Sequence, residues 1–323
     1  MTATEVFDYY RTSEPLTLAD TNNFTQFVED KNHPTRGCMA VSGLTVSLLE
    51  NAFNEDKFRL LLTASVGDLP VDVEDRALVG VMLAMIVHDK SVRISSDLLD
   101  DVVDVITYDA DVSLETLCAI ARTTQVERIE KCNQQLTTEI LPFLQRRPSD
   151  LSNRQPDEFL DILKKHQEYI KRISSHHFDQ NFVFFKDAYN IPFFRNSAAN
   201  WFLPFDESVL NKLSDSDIDL FTTLAERLRI CDSDKYAAVK MLKSLARFAE
   251  GMNFSEMLTQ HEEESWGYLD SSGYVEQAYR FFRLSPFAKT SPFDAVKDLR
   301  DTLLYRLVVV GEEARGLITE YLA

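Results

Sequence analysis

Glycine and proline are scarce in this chain, nine and ten in 323 residues, which leaves few positions for the left-handed and φ-locked turns that strand-rich folds use. That scarcity favours long helices with short connections. Cysteine is rarer still. Cys38, Cys118, Cys132 and Cys231 stand far apart with no CxxC pair, so neither a disulfide framework nor a zinc spacing is indicated and the thiols read as reduced. Positive charge is also in deficit: 34 basic against 52 acidic side chains give a formal charge of −18. Such a balance repels a phosphate backbone and gives no general pull toward anionic lipid, so neither nucleic acid nor membrane is expected as a partner. The longest near-continuous apolar run, ALVGVMLAMIV at 77–87, is too short to cross a bilayer, and the opening MTATEVFDYYRTSEPL lacks the basic and apolar regions of a signal peptide. A cytoplasmic location is expected.

Catalytic signatures are missing too. There is no GxSxG, P-loop, GxGxxG or HExxH, and the histidines, among them His166, His176, His177 and His261, are not set at metal-ligand spacing. Acidic residues are too numerous for one pair to stand out as general acid and base. Asp215, Asp217, Asp219 and Glu226 have the carboxylate spacing of a calcium-binding EF-hand loop, but Leu220 occupies the position where that loop turns on glycine. An acidic helix N-terminus accounts for them. The acidic runs at 97–104 and 262–264 are most simply solvated faces. No catalytic residue, metal ligand or cofactor is assigned.

What is present is helical periodicity. In DEFLDILKKHQEYIKRI, Phe159, Ile162, Leu163, His166, Tyr169, Ile170 and Ile173 form one apolar stripe. Capping residues mark helix starts at Ser95 or Ser96, at Ser214 or Ser216, and at Asp232 or Ser233. The best strand candidate, YRLVVVG at 305–311, suits a buried helix segment equally. Roughly twelve to fourteen helices follow from such signals, giving an all-α fold of stacked helix pairs, an α-solenoid of HEAT-like or TPR-like repeats. A pair of segments supports the repeat. Aligning Arg36 with Arg76 brings Gly37, Ala40 and Gly43 into correspondence with Ala77, Gly80 and Ala84, and small residues at helical spacing let two helices approach closely.

The chain is longer than one typical core requires. RRPSDLSNRQPDEF at 146–159 has two prolines and no apolar periodicity, so a helical-repeat region at 1–147, a linker at 148–156 and a second helical region at 157–323 are expected. Within the second lies IPFFRNSAANWFLPFD (191–206), with five aromatics and two prolines. Pro192 and Pro204 bias Ile191 and Leu203 away from helix, predicting an extended connector. Its aromatics either lock helical layers together or, if exposed, make Phe194, Trp201, Phe202 and Phe205 the residues that bind a partner.

RALVGVMLAM (76–85), NWFLPFD (200–206), CDSDKYA (231–237) and YVEQAYRFFRLSPF (274–287) together resemble a family of uncharacterised Bacteroidetes proteins. In that family a HEAT-like N-terminal half precedes tetratricopeptide repeats. The resemblance covers much of 36–290 and implies an all-helical fold and a scaffold role, with no active site attached. No 34-residue repeat stands out in this chain, which ends on LITEYLA. It is read as the N-terminal part of a longer protein or as a short member. A non-enzymatic scaffold that binds a protein or peptide is the expected function. The alternative is an enzyme or enzyme subunit whose Asp, Glu and His residues converge from distant positions.

Overall fold

The computed structural model describes residues 1–125, 138, 190–205, 231–237 and 270–322. Among these, all regular structure is helical. The N-terminal part runs α1 (Ala3–Thr12), α2 (Leu18–Val28), α3 (Thr35–Glu50), α4 (Glu55–Ser65), α5 (Val71–Val87), α6 (Asp89–Ile94), α7 (Ser96–Tyr108) and α8 (Ala110–Arg122). Later come α9 (Pro192–Asn196), α10 (Ser271–Leu284), α11 (Leu303–Val308) and α12 (Glu312–Leu322). Two helical turns lie at 232–237.

Beyond Asp75 and Arg76, α5 is apolar on every side, and a helix of that composition belongs in the interior. It packs against α3, α4 and α10, while α1 lies along the opposite side of α3. Glycine permits both close approaches. A Cβ at Gly43 would stand 2.5 Å from the Phe7 carbonyl oxygen of α1, and one at Gly80 would collide with the Thr45 hydroxyl of α3. The close helix approach expected from the small residues is therefore present. The two aligned arginines, however, part company: Arg36 is partly exposed beside Asp30, whereas Arg76 is buried.

Local signals set many of the ends. Thr2 with Glu5 and Thr17 with Asp20 form capping boxes, and Asn54, Asp109, Asp270 and Thr302 each accept a first-turn N–H. Ser95 occupies the N-cap of α7 but makes no side-chain cap bond. Asp232 and Ser233, expected as caps, are already helical, and the Cys231 carbonyl accepts from the Asp234 and Lys235 N–H groups. The strand alternative at 305–311 gives way to helix through Val308, capped by the Thr302 hydroxyl and followed by Gly311 at φ +93°.

The extended connector is corrected. Ile191 is extended, at ψ 134°, yet Pro192 then opens α9, and a 3₁₀ turn spans Ala199–Trp201. Proline restricts the residue before it, but its own fixed φ suits a first helical position. The linker at 148–156, the stripe at 159–173, the acidic spacing at 215–226, the histidines at 166, 176, 177 and 261 and the acidic run at 262–264 lie outside the described residues. Buried residues from both sides of the expected boundary, from Val6 to Ile318, belong to one apolar cluster.

Candidate functional site

A polar cluster of this interior is built where α3, α5 and α10 meet the connector and the 232–237 turns. Arg76 enters from α5. Its Nη2 donates to Asp232 Oδ2 at 2.8 Å, and its Nη1 donates to the Phe202 carbonyl at 2.8 Å and to Ser42 Oγ at 3.1 Å. The guanidinium carbon lies 4.9 Å from the ring centroid of Tyr274, whose hydroxyl bonds Ser42 at 3.0 Å. A planar cation can satisfy an anion, a carbonyl and a ring face together, which suits arginine to a buried position.

Asp232 ties further segments in. Its Oδ1 accepts from the Phe205 N–H at 3.2 Å and lies 3.9 Å from Lys235 Nζ, and its own N–H donates to Gln277 Oε1 at 3.2 Å. Gln277 Nε2 in turn donates to the Trp201 carbonyl at 2.8 Å. Two residues along, Asp234 accepts from Arg280 of α10. The five charged groups Arg76, Asp232, Asp234, Lys235 and Arg280 are each at most 8% exposed. Such groups persist inside a protein because they are paired and hydrogen-bonded.

Burial shapes the chemistry available here. It pushes the Cys38 thiol up to about 12 against the opposing field of Arg76, so Cys38 is no thiolate nucleophile. Burial likewise raises Tyr274, again against Arg76. Burial disfavours the Arg76 charge, but the neighbouring carboxylates, Asp232 among them, outweigh it and hold the guanidinium above its ordinary value. Each buried cation faces an aspartate, and the arrangement acts as a lock between segments. Its fit is incomplete: Asp72 Oδ1 and Ser233 Oγ are buried with no hydrogen-bond partner.

A second acidic convergence lies nearby. Burial first, and then the carboxylates of Asp270, Asp72, Glu74 and Glu115, raise Asp75 to about 7. A Thr116–Ser271 hydroxyl bond of 2.8 Å places α8 against the start of α10 at this point. Among the described residues, no group of three His, Cys, Asp or Glu side chains could hold a metal ion, and no helix is long and apolar enough to cross a membrane.

Of the residues expected to contact a partner if exposed, Phe194, Trp201 and Phe202 are fully buried and Phe205 is half-buried against the core. Phe202 stacks on Phe7 at 5.4 Å and meets Phe281 at 4.9 Å, while the Trp201 indole N–H donates to the Phe194 carbonyl at 2.9 Å. Tyr236 packs 4.7 Å from Phe193 and 5.0 Å from Phe205 and donates to the Pro204 carbonyl. The structure thus places Phe194, Trp201 and Phe202 in the interior, with Phe205 at its edge.

Sequence reasoning used Arg76 to align a repeat and CDSDKYA to mark a family, and missed that the two strings meet. One signal was available: an arginine at the head of a long apolar helical run is drawn inside with it and must find an anion, and a pair of aspartates that is drawn inside must find cations. Comparison with protein-family models, with curated proteins and with solved structures gives no match for this chain.

Proposed function

We propose that the protein is a non-enzymatic helical scaffold that binds another protein or peptide, of the HEAT-like repeat type that its sequence strings resemble, and that it works in the cytoplasm. The repeat reading draws on α3 and α5, the two helices that carry the aligned small residues and pack side by side. Stacked helix pairs present extended surfaces, and such surfaces are commonly used for partners. This rests on analogy of fold, and the surface itself supplies the choice of partner.

The observation that carries the proposal is the outer face of α7 and the start of α8. Asp100, Asp101, Asp104, Asp109, Asp111 and Glu115 are exposed there, and α7 contains no basic residue. Tyr108 stands among them with 76% of its surface in water, more exposed than any other aromatic among the described residues. An exposed ring beside several carboxylates suits a basic segment, since ring and anions both attract ammonium and guanidinium groups. Arg59, bound to Asp101 at 2.7 Å, already shows that pairing within the chain.

The test is affinity capture from native cytosol with wild type and with Tyr108→Ala plus Asp104→Lys, accompanied by titration of a fluorescent lysine- and arginine-rich peptide. A stoichiometric partner retained by wild type and lost by the variant, with peptide binding that weakens in salt, is the expected result. No partner with wild type, or equal capture by both proteins, overturns the reading.

A further inference from the structure

We propose that residues 231–237 form a releasable strap, held by buried ion pairs across the aromatic connector, that opens as a unit while the α3–α5 frame stays folded. The strap covers a definite surface. Tyr236 lies on Phe193 and Phe205, Lys235 Nζ is 6.0 Å from the Phe205 ring, and Asp232 holds the Phe205 N–H. Its two aspartates reach two different helices, Asp232 to Arg76 of α5 and Asp234 to Arg280 of α10.

The means of attachment is what makes the strap separable. Seating it removes from water the charges of Asp232, Asp234 and Lys235 together with those of Arg76 and Arg280. Pairing recovers this desolvation cost only approximately, whereas apolar burial of the same volume would add stability outright. The seated state also leaves Ser233, 1% exposed, with a hydroxyl that finds no partner, and Asp72 of α5 with a buried oxygen in the same condition. Asp72 belongs to this junction, since the fields of Arg76, Asp232 and Lys235 all reach it. An unmade buried hydrogen bond is a standing cost that opening relieves by hydration. The large apolar group contributed by the strap is Tyr236. By contrast, the frame beneath is closed largely by apolar side chains, Val41, Leu44, Val79, Val81 and Met82 among them. Regions with few buried apolar contacts open at lower free energy than the apolar core.

Opening has a chemical consequence. It uncovers the Phe193–Phe205 side of the connector and releases Arg76 and Arg280 from their Asp232 and Asp234 contacts, creating an aromatic surface bordered by two arginines that the closed form hides. This surface lies apart from the α7–α8 face, so strap opening stands or falls independently of partner binding there.

Native-state hydrogen exchange on the full chain, over a range of low denaturant concentrations, tests the strap. Amides of Lys235 and Tyr236 are expected to exchange by an opening distinct from, and more frequent than, the one that exposes Val41 and Val79. Ser233→Ala removes the partnerless hydroxyl and is expected to slow strap exchange roughly tenfold, leaving α3 and α5 unchanged. Asp232→Asn with Asp234→Asn is expected to accelerate strap exchange by at least about tenfold. Strap and frame amides exchanging together in wild type, or Ser233→Ala leaving strap exchange unchanged or faster, overturns the proposal. The serine variant decides the matter even if the double aspartate variant fails to fold.

Discussion

The α3–α5 interface and the Arg76–Asp232 junction adjoin in one interior and are held by opposite means. At the first, glycine and small side chains bring two helices into contact mainly through apolar groups, Gly80 resting against Thr45. At the second, charges meet with almost no water between them. Apolar contacts tolerate many partners of suitable volume, whereas a buried guanidinium accepts only a correctly placed anion. The first interface therefore supplies cohesion, and the second fixes which segment docks on which helix.

Removing one partner of the buried pair should separate the two means most clearly. Arg76→Met strands Asp232 and is expected to cost about 3–5 kcal/mol in denaturant unfolding. Arg76→Met combined with Asp232→Leu should recover most of that loss. A double variant as unstable as the single one would show that the junction is indispensable for cohesion as well as for docking. At the apolar interface Gly43→Ala drives a methyl group into the α1 backbone at Phe7, for an expected loss of about 1–3 kcal/mol. An unchanged midpoint there would mean that α1 can shift freely along α3.

Asp75 offers a comparison that pH controls. Its folded value of about 7 lies above the ordinary carboxylate value near ~4. Between the two, the folded chain holds a proton that the unfolded chain has lost. Stability from this group is thus complete at acid pH and is lost as pH rises through about 7. Thermal unfolding at pH 5 and pH 8 should show a lower midpoint at the higher pH, and Asp75→Asn should reduce the difference. An identical pH slope in both proteins would remove Asp75 from the account. The smallest effect is expected at the surface, where Arg59 pairs with Glu55 and Asp101. Arg59→Ala should cost no more than about 1 kcal/mol, measured by the same unfolding experiment. A loss as large as that of Arg76→Met would overturn the contrast between buried and exposed pairs.

Much of the helical framework was legible beforehand. The run at 77–87, too short for a bilayer and too apolar for a surface, became the interior helix α5, and the small residues at 37–43 and 80 marked real close approaches. Both signals depend on short-range periodicity, which a linear sequence displays directly. The connector was half legible: its prolines were read for the residue they constrain and not for the helix that one of them starts. The junction was not read at all. Arg76 and Asp232 are 156 positions apart, and no local pattern relates two residues at that separation. For Phe194, Trp201 and Phe202 the sequence offered burial and exposure as alternatives, because an aromatic side chain suits a core and an interface equally well.

The sequence by itself determined the helical character, the closeness with which α3 could approach its neighbours, and the acidic outer face of α7, since each follows from the type and spacing of adjacent residues. The tertiary structure alone decided that the aromatic connector is interior, that Arg76 rather than Arg36 is buried, and that Asp232 and Asp234 answer to different arginines. Those outcomes depend on which distant surfaces meet, and desolvation and pairing are settled only when they do.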